Sequence, residues 1–472
     1  MRMPQPRTAT LVITGAGSFM VLLDVTVVSV ALPSIGRDLH ASLSGLAWVV
    51  DACTLPFAAT LLTCGTLGDR VGHRRLFTAG LALFTVGSAL CAAAPSAGWL
   101  LAGRAVQGVA GAAVSPSGLA LITAAFPREK ERARALGTWS AVGGLALAAG
   151  PLLGGLLIEA SGDWRWVFRV NLPIGAAAVL AGTRLLPAHA GRRRGSVDLP
   201  GQVLSTAGLV SVVYALAEGG VRGWTDGRVA ACLGAGAVLL AAFTARQAAA
   251  AEPMLPLGLF RRRLFGAGGA ATFAVGFALT SHAFFMSQYF QDVQRTGALG
   301  SGLRSLPTTV GIFAAAPLAG RLAARYGYRV PVTAGTLAAG TGALSLTGIR
   351  DDTGYASLWW PLALVGVGFG LALSPLVGAV LAAVPPQAAG AAAGAANAAR
   401  QLGGTVGVAV LSALAAGRIA DGSGLTAAVR TAFLVNGAVL AATAALSWPL
   451  LQHPRTAPAE TAHPAPKENE PA

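Results

Sequence analysis

Charge is what this 472-residue chain has least of. Asp, Glu, Lys and Arg make up 11% of it and hydrophobic residues 54%, whereas a soluble domain carries about 25% charged residues. An ordinary soluble fold is thereby excluded. A disulfide framework is excluded as well. Of the four cysteines, Cys53 and Cys64 fall on one expected helix, about 16 Å apart at 1.5 Å per residue, too far to bridge. Cys91 and Cys232 sit in apolar runs, where a small buried thiol is at home. Enzymatic signatures are missing: there is no HExxH, no phosphate-binding Gly-x-x-x-x-Gly-Lys-Ser/Thr loop and no paired-cysteine metal site. The missing phosphate loop argues against an ATP-driven pump, and no cofactor is expected. Of six histidines only His282 falls clearly within an apolar run.

What the chain does have is apolar length. A helix needs about 20 apolar residues to cross a bilayer, and fourteen segments qualify: 9–32, 46–67, 76–94, 98–124, 135–158, 166–186, 199–217, 229–247, 265–287, 303–323, 330–348, 357–382, 389–415 and 429–451. The 62 glycines suit close helix packing in lipid. A cleaved signal peptide is rejected, because the first run is long enough to span and contains Asp24. The Pro-, Ala- and Glu-rich tail over 452–472 reads as disordered. The net charge of +15 resides in short loops, with no basic stripe alternating with aromatics, so nucleic acid is not an expected partner. With both termini cytoplasmic, 22 of the 34 Lys and Arg lie inside and 10 outside, leaving Arg104 and Arg400 within spans. That asymmetry sets the expected orientation.

The most informative stretch is Gly-Thr-Leu-Gly-Asp-Arg-Val-Gly-His-Arg-Arg over 65–75, read as a charged hairpin loop between the second and third spans. Gly65, Leu67, Arg70, Gly72 and Arg74 recur 255 residues later as Gly320, Leu322, Arg325, Gly327 and Arg329, with Ala324 where the first copy has Asp69. A second echo pairs Gly111, Ser115 and Pro116 with Gly370, Ser374 and Pro375. Two echoes in the same order imply related six-span halves around two inserted spans. Residues 1–186 would form the first half, 187–264 the insert with its flanking loops, and 265–451 the second half.

Gly65, Asp69, Arg70, Gly72, Arg74 and Arg75 resemble the signature loop of the major facilitator superfamily. Further stretches resemble its fourteen-span drug:proton antiporter branch: 23–33 around Asp24, 48–55 around Asp51, 104–108 from Arg104 to Gly108, and Gly150-Pro151 with Gly154-Gly155. So do Trp164-Arg165-Trp166-Val167-Phe168, Asn171-Leu172-Pro173, Glu218-Gly219-Gly220 and Tyr289-Phe290-Gln291. The branch usually has Asn at Ser29 and Tyr at Cys53. The resemblance implies an all-α polytopic fold of two six-helix bundles plus two extra spans. It implies a secondary transporter, not an enzyme, exporting a drug-like or antibiotic molecule across the cytoplasmic membrane in exchange for protons. Its expected partners are a small-molecule substrate, protons and the bilayer, and a monomer is expected. It makes the 65–75 loop a cytoplasmic latch, and Gly150, Pro151, Gly154 and Gly155 an antiporter-type packing motif. The rival readings are a proton-coupled transporter of one metabolite and, from another class, a membrane-embedded enzyme or sensor.

Charges within spans are expensive and are functional candidates by default. At 1.5 Å per residue, Asp24, Asp51 and Arg104 lie about 12, 8 and 9 Å below the same expected outer surface. One shared polar site is expected, with Arg104 holding a carboxylate ionised and proton arrival loosening the pair. Two readings stand for His282, a proton relay or a hydrogen-bonded interior histidine. Asn397, Arg400 and Gln401 form a polar group, with Arg400 either touching substrate or pairing with a helix end. Asp198 and Glu218 bracket the seventh span at the interfaces. The spans over 303–451 carry no acid, which leaves neutral, zwitterionic and anionic substrates open.

Overall fold

The computed structural model describes residues 6–187, 198–250, 253, 257–384 and 389–451. The tail over 452–472 and the basic stretch over 188–194 lie outside the described residues. The first group of helices is α1 (Pro6–Leu39), α2 (Leu43–Val71), α3 (His73–Ala92), α4 (Ala97–Ala125), α5 (Glu129–Ser161), α6 (Trp166–Arg169) and α7 (Asn171–Leu185). A hairpin of α8 (Leu199–Arg222) and α9 (Gly227–Ala249) follows. The last group is α10 (Arg263–Gln288), α11 (Ala298–Arg304), α12 (Leu306–Tyr326), α13 (Arg329–Ser345), α14 (Tyr355–Ala382), α15 (Ala389–Ala420) and α16 (Gly424–Leu450). A π-helical turn over Tyr289–Val293 prolongs α10, and a 3-10 turn over Leu346–Gly348 prolongs α13.

Among the described residues twelve helices are long and apolar enough to cross a membrane. A thirteenth is counted if the two parts of α5, Arg134–Ala146 and Ala149–Ser161, are one bent span. Proline accounts for the 40° bend: Pro151 has no N–H to donate, and its ring crowds the carbonyl four residues earlier. The expected span over 330–348 forms α13, whose 17 residues fall short of the usual crossing length. Such chains favour helices because lipid offers backbone N–H and C=O groups no partners. The polar ends are closed by side chains: Ser42 accepts from Gly45 N, Ser96 from Trp99 N, and Asp226 from Arg228 N and Val229 N.

One expectation needs correction. The 65–75 segment is not a loop. α2 runs to Val71, α3 begins at His73, and Gly72 alone joins them. Its φ of 94° is open to glycine and strained for other residues, so a single residue reverses the chain. Gly65, Asp69 and Arg70 thus stand on the last turns of α2, and Arg74 and Arg75 on the first turn of α3.

In the first group α1 packs on α4, α5 and α7, and α4 on α2 and α3. In the last, α10 packs on α14, α15 and α16, and α14 on α12 and α13. The two groups meet along α2–α15, α5–α11 and α1–α10. A core containing Val27, Leu32, Val50, Phe284, Tyr289, Leu411 and Phe433 joins them at the end remote from Gly72. Toward the Gly72 end the cores separate. One belongs to the first group apart from Ala398, and two belong wholly to the last. The groups are therefore closed together at the far end.

The α8–α9 hairpin lies on the α2–α15 seam. Gln202 of α8 donates to Ala59 O of α2 at 3.1 Å and accepts from Thr63, while Val213 and Ala217 pack with Leu55 of α2 and Ala409 of α15. Asp198 caps α8 through Gly201 N at 2.9 Å and receives Arg246 at 2.6 Å and Gln247 at 2.7 Å from α9. Burial works to raise the Asp198 carboxyl, but these donors outweigh it and hold the group below its ordinary value.

Candidate functional site

Five helices contribute to the network around Asp24. The residue is 1% exposed on α1, and its Oδ2 pairs with Nη1 of Arg104 on α4, itself 1% exposed. Its Oδ1 accepts from Gln107 Nε2 at 3.0 Å and from Asn171 Nδ2, on α7, at 3.1 Å. Arg104 also donates from Nε to Val49 O of α2 at 3.1 Å and from Nη1 to Gln107 Oε1 at 2.7 Å. Ser88 of α3 closes the network, 2.8 Å from Gln107 Nε2 and 3.4 Å from Asn171 Nδ2.

Local sequence explains the convergence. Arg104 and Gln107, three residues apart, share one face of α4. Small residues then let neighbouring backbones close in. A Cβ at Gly108 would lie 2.3 Å from Cys53 O of α2, and one at Gly103 would lie 2.7 Å from Cys91 Sγ of α3. A buried charge is tolerable only when paired and hydrogen-bonded, and here both partners are. The guanidinium fork reaches carboxylate and amide from Nη1 and the carbonyl from Nε, two separated nitrogens where an ammonium offers one.

Asp51 does not join this site, contrary to the expectation of one cluster of three charges. It is 0% exposed, and among the described residues neither carboxyl oxygen has a hydrogen-bond partner. Trp48 and Leu55, one turn to either side on the same helical stripe, pack with α8 and α15. Thr54 meets Thr405 of α15 at 2.6 Å. The angle around α2, not depth, separates Asp51 from Arg104. Reading depth alone misses this.

His282 lies on α10 at 5% exposure, its ring 5.5 Å from that of Phe433 on α16, and among the described residues its Nδ1 has no partner. The adjacent Ser281 donates to Asn436 Oδ1 at 3.1 Å. On α15, Arg400 donates to Asn397 Oδ1 at 2.8 Å, and among the described residues it makes no ion pair. Both residues are half-buried.

At the Gly72 end, Asp69 meets His73 Nε2 at 3.1 Å, within its own helix pair. Arg74 donates to Thr183 O of α7, while Arg70 and Arg75 are exposed. A Cβ at Gly65 would touch none of the described residues within 4 Å. The glycine motif of α5 faces two ways. A Cβ at Gly150 or Gly154 would run into Thr26 and Val27 of α1, whereas one at Gly155 would lie 2.5 Å from Leu299 Cα of α11. Pro151 O sits 2.3 Å from where a Cβ of Gly302 would be. The motif thus presses α5 against α1 and, across the junction of the two groups, against α11.

Gln107, Asn171 and Ser88 were not expected at the charge site. Gln107 was legible from its three-residue spacing to Arg104. Asn171 and Ser88 were not, since their helices are distant in sequence. The same holds for Asp38, which accepts from Trp164 Nε1 and Arg165 Nη1, both at 3.0 Å, at the far end.

The Major Facilitator Superfamily profile matches residues 14–408. The chain is 37% identical over 414 residues to the multidrug resistance protein Stp of Mycobacterium tuberculosis, covering 88% of this chain and 77% of that one. It is 36% identical over 415 residues to the tetracenomycin C resistance and export protein of Streptomyces glaucescens, covering 87% and 76%. It is 38% identical over 472 residues to the puromycin resistance protein pur8 of Streptomyces alboniger, covering 96% and 92%. A bacterial homolog of the human lysosomal transporter Spinster, solved in an inward-facing and unoccupied conformation, shares the fold with a TM-score of 0.65 at 17% identity, covering 95% of this chain and 98% of that one. Helices that cross a membrane, a charged pair buried among them and relatives matched along most of their length agree: the chain is a multi-pass membrane transporter, not an enzyme, and belongs to the multidrug- and antibiotic-resistance efflux branch of the major facilitator superfamily.

Proposed function

We propose that this secondary transporter exports a drug-like or antibiotic molecule across the cytoplasmic membrane in exchange for protons, with Asp24 as the proton-carrying acid. The observation that carries the reading is the Asp24–Arg104 pair, sealed among α1, α4 and α7. While Asp24 is ionised the pair ties α1 to α4, and through Val49 O to α2. A proton on Asp24 cancels the attraction and leaves Arg104 with its neutral acceptors alone. The balance between two arrangements of the bundle then shifts with proton occupancy.

The remaining parts fit around this. The arginine excess puts the Gly72 end in the cytoplasm with both termini. Closure at the far end then corresponds to an arrangement that loads from inside. The fourteen expected segments serve as two six-span halves with α8–α9 inserted, α13 and its 3-10 turn counting as one span. Asp69 with Gly65, Arg70, Gly72, Arg74 and Arg75 acts as a latch in the opposite arrangement. Gly65 offers clear space there for a second helix. Asp51, His282, Asn397 and Arg400 are the remaining candidates for coupling or substrate contact. The transporter works as a monomer.

The test is uptake into everted vesicles, using ethidium and puromycin as probes, with the proton gradient intact or collapsed. Asp24→Asn keeps the shape and removes the titration. It is expected to abolish gradient-driven accumulation while the protein still reaches the membrane. Accumulation against a gradient by Asp24→Asn would move the proton to Asp51.

A further inference from the structure

The far end holds a cavity of about 300 Å³ at the junction of the two groups of helices. The first group lines it with Arg37 near the end of α1 and Leu43 at the start of α2. The last group lines it with Gln288 at the end of α10, Asp292 on the π-helical turn, Ile419 of α15 and Leu425 of α16. Small-molecule sites begin at about this volume and favour the junction of two domains, and π-helical turns recur at functional sites.

The polar groups of the cavity lack protein partners. Gln288 is 2% exposed, and among the described residues its Oε1 has no hydrogen-bond partner. A buried polar atom normally has one, and an exception calls for an explanation. Asp292, four residues on, is half-buried. Its carboxylate feels Arg37 and Arg295 through space, and among the described residues no donor bonds it. Arg295 is exposed and does not line the cavity. Arg37 donates from Nη2 to Ser34 Oγ at 3.3 Å, within its own helix. A second cavity, of about 530 Å³, shares Arg37, but its acids are already engaged. Asp38 receives Trp164 and Arg165, and Asp163 receives Arg165 and Arg169. Arg37 and Asp292 thus bring opposite charges to one cavity, one from each group, without touching.

We propose that this cavity binds a zwitterionic amphiphile of the amino-acid type. Its ammonium lies on Asp292 and Gln288 Oε1, its carboxylate on Arg37, and its apolar body against Leu43, Ile419 and Leu425. An ammonium has three donors and no acceptor, which suits a carboxylate beside an amide oxygen. A guanidinium matches a carboxylate through parallel N–H donors. A simple cation would leave Arg37 unmatched, and a simple anion would meet Asp292. Because the walls come from both groups, a bound ligand ties them together and favours the arrangement closed at the far end. With the far end facing outward, a ligand bound there from outside opposes export. That consequence rests on the exchange reading, and the binding itself does not.

The test is fluorescence titration of the full-length protein in lipid nanodiscs with Nε-dansyl-lysine, which carries a free α-ammonium and α-carboxylate. It is compared with its methyl ester, which keeps only the ammonium, and its Nα-acetyl form, which keeps only the carboxylate. Protein-free nanodiscs give the lipid background. Dansyl-lysine is expected to bind about tenfold more tightly than either derivative, the scale of one charge-assisted hydrogen bond. Arg37→Gln should reduce it to the level of the ester, and Asp292→Asn to that of the acetyl form. If either variant does not fold, Leu425→Trp narrows the cavity and is expected to weaken dansyl-lysine binding. Equal affinities for the three forms, or affinities that these variants leave unmoved, overturn the site. No gradient enters the measurement. If wild-type ethidium uptake into everted vesicles ignores the proton gradient, it is the exchange reading that fails, whatever dansyl-lysine does.

Discussion

Arg104 shows how much one side chain carries. It is fully enclosed, yet it bonds a carboxylate, an amide and a backbone carbonyl on three different helices. Removing one member of a buried pair leaves the other charge unpaired, a loss of about 3–5 kcal/mol. Replacing both with apolar residues avoids that penalty. Arg104→Met is therefore expected to lower thermal stability in detergent more than Asp24→Leu/Arg104→Met, although neither transports against a gradient. The melting temperatures of the two variants decide it, and a double variant no more stable than the single one would show that the pair's charge is not what Arg104 balances. Asp24, Asp51 and Arg104 were each legible in sequence as charges within spans. Which of them touch was not, because that depends on rotation about each helix axis.

At the scale of elements, the glycines of α5 and α2 predict opposite outcomes. A Cβ at Gly155 would strike the α11 backbone at Leu299 and Ala298, which cannot yield as a flexible side chain can. Gly155→Val is expected to destabilise the α5–α11 contact by about 1–3 kcal/mol. Thermal unfolding should show this, and the far end should become more reachable by thiol reagents at cysteines introduced there. Gly65→Val meets empty space and should leave unfolding unchanged. If Gly65 is part of the latch, Gly65→Val still slows transport. Asp69→Asn should likewise cut probe efflux several-fold at unchanged membrane abundance, since the single bond it loses here, to His73, is half-exposed and worth little. Wild-type efflux by Asp69→Asn would remove that residue from the latch. The motif at 65–75 was read as a loop because its charges looked like the end of the membrane. The helices continue past that boundary, and Gly72 alone makes the turn.

For the molecule as a whole, the arginine asymmetry predicts topology. A phosphatase–fluorescent protein pair fused after Leu451 should report the cytoplasm, that is, fluorescence without phosphatase activity. Phosphatase activity there would reverse the orientation or change the parity of the spans. Closure at one end is a property of the assembly. It comes from Gln291 reaching Val30 O at 2.8 Å, from Pro151 against Gly302, and from one apolar core shared by both groups. None of these pairs is local in sequence.

Sequence by itself determined what the solvent dictates. Long apolar runs must become helices in lipid, since backbone polar groups find no other partners there. Scarce charges inside them mark candidate sites, and the motif at 65–75 with its companions carries the resemblance to the family. Tertiary structure decided what depends on rotation, crossing and distance. It placed Gln107 and Asn171 on Asp24 and put Asp51 on the α8–α15 side. It also turned an expected loop into two helix ends. A helix has a fixed rise, so depth follows from counting residues. The face a residue presents follows only from how neighbouring helices pack, and here glycine positions on several helices set that jointly.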